Sequence, residues 1–97
     1  MTVTLANPAG LPSTDAYHHV AVSRGAKHIH IAGQVGWDAA GVVVGPGLAD
    51  QVAQAYRNVA RALESAGASF ADVVRLTVYV VDWHVSQYPA FAEGVAC

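Results

Sequence analysis

The sequence predicts helices laid against a β-sheet, and three stretches carry that expectation. Apolar residues at Leu48, Val52, Tyr56, Val59, Leu63 and Ala66 recur at steps of three and four. That spacing forms one stripe of a 3.6-residue helix. From Val73 to Val81 the period changes to two. Val74, Leu76, Val78 and Val80 point one way; Val73, Arg75, Thr77, Tyr79 and Val81 point the other. Upstream, Tyr17–Ser23 and His28–Ala32 read as two strands around an Arg24-Gly25-Ala26-Lys27 turn. A lone amphipathic helix does not recover the entropy of ordering its backbone, so it needs a seat. The apolar face of the third strand is the expected one. The half-apolar opposite face also wants cover, which a second subunit can supply.

The long helix has its own start and stop signals. Asp50 lies in the first turn, where the helix dipole favours negative charge. Gly67 follows the last periodic residue and can take the left-handed conformation that ends a helix. The face opposite the stripe carries Asp50, Gln54, Arg57, Arg61 and Glu64.

Residues 1–16 contain Pro8, Gly10 and Pro12 and read as an extended lead-in. With Gly25-Ala26 as a two-residue loop, Val22 faces Ile29 and Val20 faces Ile31. Ser23, His28, Ala21, His30 and His19 fall on the other face. After Gly33–Asp38 the sequence predicts a turn at Ala39-Ala40-Gly41. The run Val42-Val43-Val44 is closed by Gly45-Pro46-Gly47. A second helical segment begins at Asp82-Trp83-His84, with Tyr88, Phe91, Ala92 and Val95 at helix spacing. Ser86 is its expected N-cap, and Pro89 falls in the first turn, where proline is tolerated.

The 97 residues are expected to make one small domain. The chain is 54% hydrophobic and 12% charged, about half the usual charged share. So small a domain cannot hide that much apolar surface, and a closed symmetric oligomer is the simplest way to bury it. Net charge is −2 and the basic residues form no run, which argues against nucleic acid or an anionic membrane as partner. The N-terminus lacks a signal-peptide pattern, and no apolar run approaches the length of a membrane span. The one cysteine, Cys97, excludes an intramolecular disulfide and fits a cytoplasmic setting.

Four pieces in order resemble the Rid family of reactive intermediate deaminases. These YjgF-like proteins are also labelled endoribonuclease L-PSP. The pieces are Gly10-Leu11-Pro12 with Tyr17-His18-His19-Val20; Ala32-Gly33-Gln34-Val35-Gly36-Trp37-Asp38; Gln51 through Asn58 to Leu63; and the run from Ala66-Gly67-Ala68-Ser69-Phe70 through Arg75-Leu76-Thr77 to Asp82. The last is the most specific.

The resemblance implies an α+β fold of the chorismate-mutase-like type, a mixed sheet with two helices on one face. It implies a homotrimer whose sheets form a central barrel and whose clefts lie between subunits. Family members hydrolyse reactive enamine and imine intermediates to 2-keto acids and ammonia, so the implied partner is a small 2-imino or 2-keto acid. No cofactor is implied. The family's cleft tyrosine matches Tyr17. Its Ser-Gly-Gln motif falls on Ala32, Gly33 and Gln34, with the serine hydroxyl missing. A second-helix asparagine falls near Ala90. The late-strand arginine that clamps the carboxylate and the glutamate that orients the water have no counterpart in residues 1–97, so the domain reads as incomplete at its C-terminus. The implied substrate-binding residues are Tyr17, Ala32, Gly33 and Gln34, with no catalytic residue assigned. Imine hydrolysis is compatible with this set, as is binding of a small carboxylate or a protein partner at the subunit-interface cleft without turnover, and ribonuclease activity fits the acidic balance less well.

Other residues invite chemistry with plainer explanations beside it. His19, His28 and His30 would share a face of the expected hairpin and could hold zinc, copper or nickel, but no carboxylate lies close in sequence to support such ligands, and a polar outer face is the better reading. The glycines from Gly33 to Gly47 suit turn geometry, since no lysine-serine or lysine-threonine pair follows them. Arg57 and Arg61 read as solvated helix-face charges, with anion binding as the alternative. Arg75 can pair with a carboxylate across an interface or hold an anion. Asp82 and Glu93 are conceivable acid/base groups, but nothing in the sequence sets them beside Tyr17. Cys97 has no histidine placed to activate it as a nucleophile.

Overall fold

A computed structural model describes residues 2–14 and 17–96. Asp15, Ala16 and Cys97, on which parts of the lead-in and nucleophile readings fall, lie outside the described residues. The architecture is a small α+β arrangement of one two-stranded antiparallel sheet and two α-helices. In chain order these are β1 (Thr2–Ala6), β2 (Val20–Arg24), α1 (Leu48–Ser65) and α2 (Tyr88–Ala96). Single 3-10 turns cover Phe70–Asp72 and Val85–Gln87.

Helix α1 follows its sequence signals closely. Asp50 sits in the first turn, and Val52, Ala53 and Leu63 are its buried residues. At the far end Gly67 takes φ +77°. Its N–H donates to Glu64 O at 3.0 Å and the Ala68 N–H donates to Leu63 O at 2.9 Å. Those two bonds make a Schellman stop, which satisfies carbonyls the helix would otherwise leave open. The Lys27 ammonium adds a bond to Ala66 O at 2.8 Å, putting a cation at the negative end of the helix dipole. Tyr56, half-buried, lies near the Phe70 ring at a centroid distance of 6.0 Å, and burial pushes its phenol above the ordinary value of 10.0.

The expected hairpin is not formed. Strand β2 pairs instead with the lead-in, in the register Thr4↔Val22 and Ala6↔Val20. Val22 and Val20 therefore do not face Ile29 and Ile31. The Lys27 bond helps explain why. It ties the corner at Lys27 to the end of α1, where Gly25, Ala26, Lys27 and Ile29 line a cavity of about 260 Å³ with Ala66–Ala68. A chain led to the helix end is not free to fold straight back along β2. Residues 28–32 consequently lie outside the sheet, and His28 and His30 do not share a sheet face with His19.

The third expected strand, 73–81, joins no ladder among the described residues. Its two-residue period survives in its later half as alternating exposure. Leu76 and Val78 are 43% and 42% exposed, whereas Tyr79 and Val81 are 92% and 87% exposed. This segment does not supply a buried seat for α1. The buried side of α1 meets α2 instead, where Gly94 lies against Ala49 and Val52.

The second helical segment begins differently from expectation. His84, not Ser86, is the capping residue: His84 Nδ1 accepts from the Ser86 backbone N–H at 3.2 Å. The Gln87 side chain returns the bond to the His84 N–H at 2.8 Å. Pro89 falls in the first turn of α2, as predicted. The side chains expected to form its apolar stripe are not its buried ones. Phe91 packs edge-on to Trp83 with centroids 6.1 Å apart, and the buried residue is Gly94.

Much apolar surface stays open. The accessible surface is 7400 Å², against about 5,300 Å² for a folded monomer of this mass. The radius of gyration is 15.1 Å, against about 12.5 Å for a compact domain of this length. Leu5, Val35, Trp37, Val42, Val74 and Tyr88 are among the large apolar side chains left exposed. The fold thus carries the apolar excess seen in the sequence on its outside.

Candidate binding groove

The segment from Gly33 to Val44 is a strap held against the polar side of α1. Gly36 permits the approach. A Cβ there would lie 2.9 Å from both the Cα and the Cβ of Gln51. The strap then closes on itself. Trp37 and Val43 form a bridge, and Val44 N–H donates to Gly36 O at 3.0 Å. At the expected turn, Asp38 Oδ1 accepts from Ala40 N–H at 2.9 Å and Val42 N–H at 3.0 Å, while Gly41 takes φ +77°.

One helix residue locks the strap. Asn58 Nδ2 donates to Val35 O at 3.0 Å and to Trp37 O at 2.9 Å. Asn58 Oδ1 accepts from Gln54 Nε2 at 2.9 Å, and Gln54 Oε1 accepts from Arg57 Nη2 at 3.1 Å. These bonds run as a relay from two strap carbonyls to a guanidinium. Gln51 adds a bond to Gly45 O at 2.7 Å.

Between strap and helix lies an open groove of about 940 Å³. Gly33, Gln34 and Trp37 line one side; Arg57, Asn58 and Arg61 line the other. Of the expected site residues, the structure therefore brings Gly33 and Gln34 to one groove. Ala32 stands beside it, its carbonyl accepting from Gln34 Nε2 at 3.1 Å. Tyr17 is elsewhere. Its ring meets His19 edge-on, with centroids 5.1 Å apart. His19 is fixed by its own N–H to Asn7 Oδ1 at 3.1 Å and by Nε2 to Pro12 O at 2.7 Å. Because Asn7 Oδ1 is used there, Nδ2 is the donor to His18 Nδ1 at 3.0 Å. Among the described residues, no three histidine, cysteine, aspartate or glutamate side chains converge as metal ligands.

Two carboxylates line the groove, and both have partners. Asp38 is held by its turn. Glu64 lies 3.7 Å from Arg61 across an exposed ion pair. The groove is thus better equipped to hold an anion than to move a proton. Sequence reading did not single out Asn58 as a site residue. The available signal was an amide set on the same helix as Arg57 and Gln54, but only the folded strap supplies the carbonyls it binds.

Asn58→Ala is expected to lower stability by about 1–3 kcal/mol, since it removes three hydrogen bonds, each contributing about 0.5–1.5 kcal/mol net and the two exposed ones toward the low end. Asn58→Asp keeps the size but turns a donor into an acceptor facing two carbonyl oxygens. It should cost at least as much. Thermal unfolding of the two variants checks this, and a neutral Asn58→Asp would remove the lock from the account.

An α+β chain with this strap and motif order defines a class. Residues 9–95 match the family model described as endoribonuclease L-PSP. The chain belongs to that family, the Rid or YjgF-like proteins that its motifs resemble. The relatives are more particular. It is 40% identical over 57 residues to the 2-iminobutanoate/2-iminopropanoate deaminase of Homo sapiens. The proteins of the same name from Bos taurus and Rattus norvegicus are 42% and 38% identical over the same length. Each match covers 58% of this chain and 42% of the relative. The matched part spans about two fifths of those relatives. No solved structure gives a significant match.

Proposed function

We propose that the protein is a Rid-type deaminase acting on small 2-imino acids. Water adds to the imine carbon, the carbon–nitrogen bond breaks, and a 2-keto acid and ammonia leave. The observation that carries this reading is the placement of Gly33 and Gln34 on an open groove, in a chain whose relatives are named as such deaminases. The working form is a cytoplasmic homotrimer whose cleft between subunits brings together Tyr17, Ala32, Gly33 and Gln34, although Tyr17 does not meet the other three within one chain. The large exposed apolar surface supports assembly, because an oligomer removes it from water. The 97 residues form a single domain in this reading.

A second reading is binding of a small carboxylate without turnover. It is favoured by the methyl group of Ala32 at the position of the motif's serine, and by the engaged state of both groove carboxylates. One experiment separates the two. Protein whose assembly mass has been read by native mass spectrometry is added to an amino-acid dehydratase that releases 2-iminobutanoate. Faster keto-acid formation is expected from a trimer. A trimer that leaves the uncatalysed rate unchanged overturns hydrolysis and leaves the binding reading, and a monomer removes the cleft between subunits.

A further inference from the structure

Gly33 and Gln34 stand immediately before the part of the strap that α1 holds most closely. Asn58 reaches back across 23 and 21 residues to the Val35 and Trp37 carbonyls. Between those carbonyls the chain makes a γ-turn, the Trp37 N–H donating to Val35 O at 2.8 Å. Gly36 is the apex of that turn and lies against the Gln51 backbone, where a Cβ has no room. Both bonds from Asn58 to the strap leave from Nδ2, which uses its two donors, and Oδ1 is held by Gln54. The amide is therefore oriented by its own helix, and it fixes the chain one residue after Gln34. The Gln34 side chain bonds to Ala32 O, two residues away, and that bond does not tie the strap to α1.

We propose that Asn58 is a positioning residue for ligand binding: by gripping the γ-turn it sets where Gly33 and Gln34 stand, and it governs affinity for the small acid without touching it. This rests on the reading of those two residues as substrate-binding. Groups held in place before a ligand arrives lose less entropy on binding. Misplacement by about 1 Å can cost as much as about a hundredfold. Lost binding that is common to ground state and transition state raises KM and leaves kcat unchanged, so the effect should fall on KM.

The test compares variants that release the strap from opposite sides with one that weakens the fold elsewhere. Asn58→Ala removes the grip from the helix. Asn58→Ser keeps one donor and should fall between Asn58→Ala and the wild type. Gly36→Ala pushes the turn off Gln51 with Asn58 intact. Leu63→Ala loosens the core, removes no strap bond, and is expected to cost the fold at least as much as Asn58→Ala. Each variant is measured at a temperature where circular dichroism shows it folded. Calorimetric titration with 2-oxobutanoate should give a Kd raised about tenfold or more in Asn58→Ala and Gly36→Ala, and within about threefold of wild type in Leu63→Ala. KM for 2-iminobutanoate should rise by the same factor, with kcat within about threefold. Hydrogen exchange at the Trp37 and Val44 amides reports whether the strap has come loose. Loosened amides with wild-type Kd and KM overturn the assignment and leave the proposed function standing. Unchanged amides in Asn58→Ala, or an equal loss of affinity in Leu63→Ala, do the same. A wild-type protein that neither binds 2-oxobutanoate nor hydrolyses 2-iminobutanoate overturns both. Affinity that depends on Asn58 in a protein without turnover upholds the positioning role and removes the deaminase.

Discussion

Gly94→Val is expected to destabilise the protein by about 3 kcal/mol, the upper end of the range for overpacked sites. The reason is the distance of α2 from α1. A Cβ at Gly94 would lie 2.6 Å from Ala49 O, 2.7 Å from Val52 Cβ and 2.9 Å from Val52 Cγ1. One of those atoms belongs to the backbone, so no rotamer change removes the clash and α2 must move away. Movement would uncover Val52, one of the few buried apolar side chains. Valine is a somewhat better helix former than glycine, which returns only a few tenths of a kcal/mol. Ala92→Val, on the exposed side of α2, should cost less than about 1 kcal/mol. Urea unfolding of the pair is the measurement. Equal midpoints for the two variants would show that Gly94 is not where the helices meet.

Leu63→Ala should cost about 2–5 kcal/mol, a large part of the 5–15 kcal/mol typical of a domain. Leu63 is 5% exposed and, among the described residues, is the largest buried apolar side chain, beside Val52 and Ala53. Leucine and alanine are both strong helix formers, so the change reports packing more than propensity. The Schellman bond from Ala68 N–H to Leu63 O involves only the backbone and should persist. Leu63→Met keeps the volume and should lose less than about 1.5 kcal/mol. The two variants are compared by urea unfolding at one pH. A loss below about 1 kcal/mol for Leu63→Ala would mean that neighbouring groups collapse into the vacated space.

Both predictions concern α1, the element whose sequence was most legible. Its stripe, its acidic first turn and its Gly67 stop are local features. Each depends on residues within a turn or two of one another, and each recurs in the structure. The turn at Ala39-Ala40-Gly41 was legible for the same reason, because Asp38 and Gly41 build it between them. Gly33 and Gln34 could be picked out through the motif resemblance, but not the groove they line.

What was not legible depends on partners distant in the chain. Strand β2 has the same alternation whether it pairs with residues 28–32 or with Thr2–Ala6. A period of two gives the two faces of a strand and not its neighbour. The Lys27 bond to Ala66, across 39 residues, is one tertiary contact that opposes the local hairpin. The need for glycine at position 94 comes from α1, whose Ala49 and Val52 lie against it. Asn58 reads as a polar surface residue until two strap carbonyls arrive. The sequence by itself determined where the chain is helical, where it turns, how apolar it is and which family its motifs resemble, because these follow from neighbouring residues and composition. Only the tertiary structure decided which strand β2 joins and which face of α2 is buried, because each of those depends on a close contact between segments that periodicity cannot bring together.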